Sequence, residues 1–359
     1  MRKLLLLFCF YFLPFTVFAS PKDSVAHTAK KIKIKLVPVI SYAPETRFLI
    51  GGGGLGTFQI NTDSITNHSL VEAFVAYTQN RQDYIYVPYW LYTKHNNYYF
   101  EGEADYYNYS YYYWGIGTER EPKELYSVRF PRLSLNAFRK IIPHLYAGLD
   151  YYYENDVIWK TQEGGQLGTG NITGSKGSAN SGAGVDLLYD TRDSIYFPHH
   201  GWFIKVLSYI NSPAILGSTY SYTKYTSDVS YYTSLSTGTV LALNEHTQLT
   251  NGTIPFNQMA LVGGTRQIRG YYTGYYRDDD LAFLQAEIRM HLVGRFAVVA
   301  FGSSALLGNA HIFPESPGLI TAEGVGVRYN YNVKHHINLR GDIGYGKSVE
   351  YYFTIQEAF

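Results

Sequence analysis

From Ala282 onward the chain sorts its side chains by the parity of their position. Ala282, Leu284, Ala286, Ile288, Met290 and Leu292 fall on one face of an extended chain, and Gln285, Glu287, Arg289 and His291 fall on the other. A period of two over this length predicts a β-strand with one apolar and one polar surface. The pattern recurs. Tyr98, Phe100, Gly102, Ala104 and Tyr106 alternate with Tyr99, Glu101, Glu103 and Asp105. Ala183, Val185, Leu187 and Tyr189 alternate with Gly184, Asp186 and Asp190, and similar runs occupy Gly324–Tyr331 and His336–Tyr345. The chain is therefore expected to be all-β.

Alternation has no sign. A membrane barrel turns the apolar face outward to lipid, whereas a β-sandwich turns it inward. Composition favours the barrel: 37 Tyr and 20 Phe suit aromatic girdles at two membrane interfaces. The chain's end points the same way, because Tyr351, Phe353, Ile355 and Phe359 share one phase and the last residue is aromatic. The N-terminus reads as an export signal: Met1-Arg2-Lys3, an apolar run from Leu4 to Phe18, then Val17-Phe18-Ala19, with cleavage expected after Ala19. The single cysteine, Cys9, lies inside that run. Residues 20–38, with Lys30, Lys31, Lys33 and Lys35, are expected to form a short periplasmic segment, and residues 39–359 the barrel. Roughly 320 residues at about 20 per strand and connection give about sixteen antiparallel strands. Pro131 marks an expected bulge or edge in Leu125–Phe138. Long loops are expected at 116–124, 156–180, 251–280 and 308–319, the second so rich in Gly, Ser, Thr and Asn that it reads as mobile.

Ile268-Arg269-Gly270-Tyr271, followed by Asp278-Asp279-Asp280 and then Glu287-x-Arg289, resembles the lid loop and next strand of the outer-membrane assembly superfamily, the BamA/TamA type or bacterial surface antigens. The resemblance implies that loop 251–280 folds back into the lumen, with Arg269 paired to Glu287. A guanidinium and a carboxylate make charge-assisted, bidentate hydrogen bonds well suited to that task. The family usually supplies a second acid on the next strand, just before a glycine. Here Phe301-Gly302 stands at that place, so the anchor is expected to be weaker or completed by another lumen carboxylate such as Asp342.

Tyr189-Asp190-Thr191-Arg192-Asp193, with Phe197-Pro198 and Gly201, resembles the family's periplasmic turn. Phe359 resembles the terminal signal read by barrel-insertion machinery. Tyr42-Ala43-Pro44-Glu45-Thr46 leads into Gly51–Gly54, whose glycines either loosen the seam between first and last strands or permit close packing. No helical membrane span, phosphate loop or Gly-x-Ser-x-Gly elbow is present. Glu101 and Glu103 read as lumen-lining acids, and His199-His200 and His335-His336 point to opposite faces if extended. Neither catalytic chemistry, metal nor cofactor is expected. The expected surroundings are outer-membrane lipid and other outer-membrane or periplasmic assembly proteins; near-zero net charge argues against nucleic acid. The implied function is insertion or translocation of polypeptide at the bacterial outer membrane, or an accessory role in a complex that performs it. The alternative is a plugged channel or structural barrel.

Overall fold

A computed structural model describes residues 33–60, 63, 65–118, 121–195, 197–309, 318–332, 337–355 and 357–359. The export signal, residues 20–32 and His335-His336 lie outside the described residues. The strands are β1 (Lys33–Ala43), β2 (Arg47–Phe58), β3 (Ser69–Thr78), β4 (Asp83–Tyr92), β5 (Tyr98–Tyr113), β6 (Glu124–Ile142), β7 (Leu145–Thr161), β8 (Ser178–Asp190) and β9 (Gly201–Asn211). They continue as β10 (Tyr222–Ser236), β11 (Thr239–Gly252), β12 (Ala260–Val262), β13 (Tyr276–Asp278), β14 (Asp280–Val293), β15 (Phe296–Gly308), β16 (Ile320–Asn332), β17 (Ile337–Tyr345) and β18 (Val349–Ile355). All except β12 and β13 join one closed antiparallel barrel of sixteen strands, and β12 pairs with β13 inside the lid.

The sign of the alternation is that of a membrane barrel. On β14, Leu284 is 61% exposed while Glu287 is fully buried. Outward apolar residues recur round the wall, among them Val185, Leu187, Val325 and Val327. Lipid makes this arrangement favourable, because hydrocarbon accepts the apolar face while the closed sheet supplies backbone partners from strand to strand.

The first strand begins at Lys33, before the boundary expected at 39: Lys33, Ile34 and Lys35 lie opposite Thr57, Gly56 and Leu55. The lysines hid the apolar phase Ile34, Leu36, Ile40. Pro131 sits within β6 without shifting the register, although the ladder to β7 passes from Arg129–Val157 to Arg132–Glu154; the nearby shift is at Ser127/Val128. A proline lacks the N–H needed for that interval. The loop expected at 156–180 is shorter, because β7 runs to Thr161 and β8 starts at Ser178. It is also anchored: Leu167 N donates to Glu124 Oε1 (3.1 Å) and Phe256 N to Thr173 O (2.9 Å). Gly164, Gly170, Gly174 and Gly177 take positive φ at its turns.

Closure is uneven. Strands β17 and β18 pair continuously from Leu339–Ile355 to Tyr345–Val349. Strands β1 and β18 are paired at Tyr42–Phe353, where Ser41 Oγ also donates to Phe353 O (2.6 Å). The glycine run lies one strand from this seam. A Cβ on Gly51 would press on Val75 O and Ala76, and one on Gly53 on Ala73 O and Phe74, which favours close packing as their role.

The lid and its lumen anchors as a candidate functional site

Residues 253–279 leave the end of β11 and turn into the barrel mouth. Ile268, Tyr271, Ala260 and Val262 pack on inward-facing Leu281, Phe283, Ala305, Leu307 and Ile320. The upper part of β14 is thus apolar on both faces, one for lipid and one for the lid. Phe256, fully buried, fills a second apolar cluster with Tyr113, Tyr126 and Phe130. Burial of each such side chain contributes roughly 1.5–3 kcal/mol.

At its tip the lid is strained and closely fitted. Ile268 has φ +46°, unusual for a β-branched residue, and Gly270 has φ +127°. A Cβ at Gly270 would lie 2.7 Å from Gly346 N and from the Tyr345 carbonyl carbon, so only glycine can occupy this turn.

Arg269 enters the lumen with both ends of its guanidinium engaged. Nη1 donates to Asp342 Oδ2 (2.5 Å) and Nη2 to Glu287 Oε1. The group also lies 3.6 Å from the centroid of the Phe301 ring. The expected acid on β15 is therefore replaced in two parts: β17 supplies the carboxylate, and Phe301 supplies an aromatic face that attracts a cation.

Sequence reading did not find the rest of the network. Arg289 Nε donates to Glu287 Oε2 (2.9 Å), Arg328 Nη1 to Asp342 Oδ1 (2.5 Å) and Arg328 Nε to Glu357 Oε2 (2.7 Å). Arg340 lies opposite Arg328 in the β16–β17 register, and its Nη2 donates to Thr265 O of the lid (2.6 Å). Two arginines facing each other on one hairpin were the available signal, since like charges there require carboxylates from elsewhere.

The lid also touches both sides of the seam. Gly270 N donates to the Tyr352 hydroxyl of β18 (3.0 Å), which donates to Tyr271 O (3.2 Å). Thr273 N donates to Glu45 Oε1 (2.5 Å), from the turn between β1 and β2. Tyr271 reaches Thr321 O through its hydroxyl (2.9 Å).

The turn 191–200 is a separate hydrogen-bonded unit at the opposite end. Arg192 Nη2 and Nε donate to the two carboxylate oxygens of Asp190 (2.7 and 3.0 Å), and the guanidinium covers Phe203 at 4.3 Å. Asp193 Oδ1 accepts from His199 N (2.8 Å) and His200 N (3.2 Å). Pro198 is buried, and Gly201, at φ +108°, has Thr191 O where a Cβ would stand. Glu101 pairs with Lys205 (2.8 Å) and Glu103 with Arg132 (3.7 Å), so both acids face cations on the lumen wall. Phe359 differs from its expected place. Strand β18 ends at Ile355, and Phe359 O accepts from Arg289 Nη2 (2.8 Å). Glu357, pulled inward by Arg328 and Asn338, breaks the phase that would have put Phe359 beside Phe353.

At the lid's return, Asp279 carries a carboxyl pushed up to about 6 by partial burial and then by its neighbours Asp278 and Asp280. A raised carboxyl favours the docked state when neutral, so this contribution is present at acidic pH and is lost as pH rises through about 6. Hydrogen exchange across residues 276–280 is expected to become faster, after correction for intrinsic rates, between pH 5 and pH 7. Asp279→Asn should abolish that step; an equal step in the variant would refute the assignment.

The Omp85 superfamily domain matches residues 75–345. The fold is similar to that of BamA from Haemophilus ducreyi lacking POTRA domains 1–3, with a TM-score of 0.62 at 12% identity over 91% of this chain and 70% of that one. It is also similar to CdiB from Acinetobacter baumannii, at 0.58 and 12% over 91% of this chain and 65% of that one, and to CdiB from Escherichia coli, at 0.57 and 10% over 91% and 68%. No curated protein sequence matches the chain.

Proposed function

This chain belongs to the Omp85 superfamily and is a bacterial outer-membrane β-barrel, and from that premise we propose that it inserts or translocates polypeptide through its own seam under control of the lid. The observation that carries the proposal is the disparity in closure among the described residues: β1 and β18 are paired at Tyr42–Phe353, while the lid is bonded to Glu45 on one side and Tyr352 on the other. A lightly paired seam can expose strand edges, and an exposed edge is a template for another strand. On this reading the barrel acts mechanically and without catalytic chemistry. Arg269, Gly270 and Tyr271 hold the lid, Glu287 and Asp342 receive it, the 190–201 turn shapes the far rim, and Phe359 takes part in the barrel's own assembly. Partner proteins in the outer membrane or periplasm belong to the same proposal.

Depletion tests it. Loss of the chain from its native cells should lower the amount of other barrels, or of a secreted polypeptide, at the outer membrane. Normal levels of both would leave the plugged or structural barrel as the correct reading.

A further inference from the structure

The outer wall beside the seam carries an apolar groove of about 790 Å³. It crosses the strands from Met290 on β14 to Phe48 on β2, six strand intervals or roughly 29 Å along the wall. Short outward residues form its floor: Ala300 of β15 and Val325 of β16 are register partners, and Gly341 lies beyond them on β17. Tyr351 and Phe353 of β18 form the wall on the seam side, and across the seam Tyr42 packs edge to face with Phe48 at 5.3 Å. Val299, Gly326 and Asp342 also line the groove from the inward phase of their strands, so it reaches down to the backbone of the sheet.

Inside a bilayer the lipid tails are as apolar as the wall, so shape and van der Waals contact decide what packs where. On a flat wall an acyl chain touches protein along one side. In a groove it is held from below and on both flanks, and it gains dispersion contacts along its length. The volume lies within the roughly 300–1,000 Å³ of sites that bury most of a ligand. The length exceeds the roughly 15 Å that one chain covers in half of a bilayer core. Hydrocarbon is the material already against this surface, because the groove is continuous with the outward apolar belt that includes Leu284, Val325 and Ile343. At the β14 end, the β14–β15 hairpin presents exposed Arg295, a cation at the level where a lipid phosphate lies. We propose that the groove holds one acyl chain of a phospholipid in a fixed place, with the headgroup toward Arg295. The bound chain lies against β18 and β1, the two strands of the seam. The inference rests on the outer-membrane placement of the barrel and is independent of whether the seam moves polypeptide.

A photoreactive lipid tests it. The folded chain is placed in vesicles of phosphatidylethanolamine and phosphatidylglycerol, doped with a phosphatidylethanolamine that carries a diazirine in one acyl chain. Irradiation should label the peptides containing Ala300, Val325 and Gly341 at least fivefold more than the β8 peptide with outward Val185 and Leu187. Gly341→Phe should bring that labelling down to the β8 level. A Cβ on Gly341 meets no heavy atom nearer than 3.5 Å, so the wall accommodates the ring while the ring fills the groove and leaves every charge in place. Val185→Phe makes the same kind of change on the opposite wall and should leave the excess intact. Folding is checked by heat-modifiable migration, and if Gly341→Phe does not fold, Ala300→Phe decides the matter. Equal labelling round the belt, or an excess unchanged in the folded filling variant, would overturn the proposal. So would a dimer in native mass spectrometry with the groove peptides unlabelled, which would show that a second copy covers this face.

Discussion

Arg269→Ala should release the lid from the lumen while leaving the barrel wall closed. Arg269 joins Glu287 and Asp342, and both carboxylates are at most 2% exposed. Removing the cation leaves them buried with fewer partners, although Arg289 still reaches Glu287 and Arg328 still reaches Asp342. Breaking a buried ion pair from one side costs about 3–5 kcal/mol, and the remaining arginines place the expected loss at the lower end of that range. At about 3 kcal/mol the undocked lid gains a population factor on the order of a hundredfold. Limited proteolysis between Gly264 and Asp278 should therefore become much faster, with heat-modifiable migration retained. Arg269→Lys should fall between, since an ammonium cannot span two carboxylates as a planar fork does. Equal cleavage of wild type and Arg269→Ala would show that apolar burial of Ile268 and Tyr271 holds the lid unaided.

The second large effect is expected at the seam. Tyr42 and Phe353 are register partners, and antiparallel partners lie at Cα separations compatible with a disulfide. Tyr42→Cys combined with Phe353→Cys, oxidised in place, should reduce the chain's activity in the depletion assay to the level of cells lacking it, and reductant should restore activity. A control pair, Val298→Cys with Val327→Cys, spans the continuously paired β15–β16 hairpin and should leave activity unchanged. Full activity with the seam locked would sink the proposed route through it.

The lid and the seam differ in how much of them the sequence revealed. The strand at Ala282–Leu292 and the Ile268–Tyr271 lid tip are local patterns, carried by residues close together in the chain. Glu45, Tyr352, Arg328, Arg340 and Glu357 were not legible. Glu45 precedes its partner Thr273 by 228 positions, and Gly270 and Tyr352 are 82 apart. Each lies on a different strand, turn or tail, and only the closed register brings them round one lumen. Phe359 was misplaced for the same reason: its phase was counted along an uninterrupted strand, but Glu357 is drawn inward by Arg328, a residue of another hairpin.

Alternation determined that the chain forms amphipathic strands, and length with spacing determined about how many, because side-chain direction in an extended chain follows parity alone. Which face met lipid was not contained in that parity. Closure of β1 onto β18 decided it, by enclosing Glu287, Asp342 and their arginines and leaving Leu284, Val325 and their like outside. Closure also decided that Phe301, standing where a second acid was expected, faces the same guanidinium that Asp342 binds. The physical reason is that electrostatic pairing depends on distance across the lumen, and strand order and register fix that distance while sequence separation does not.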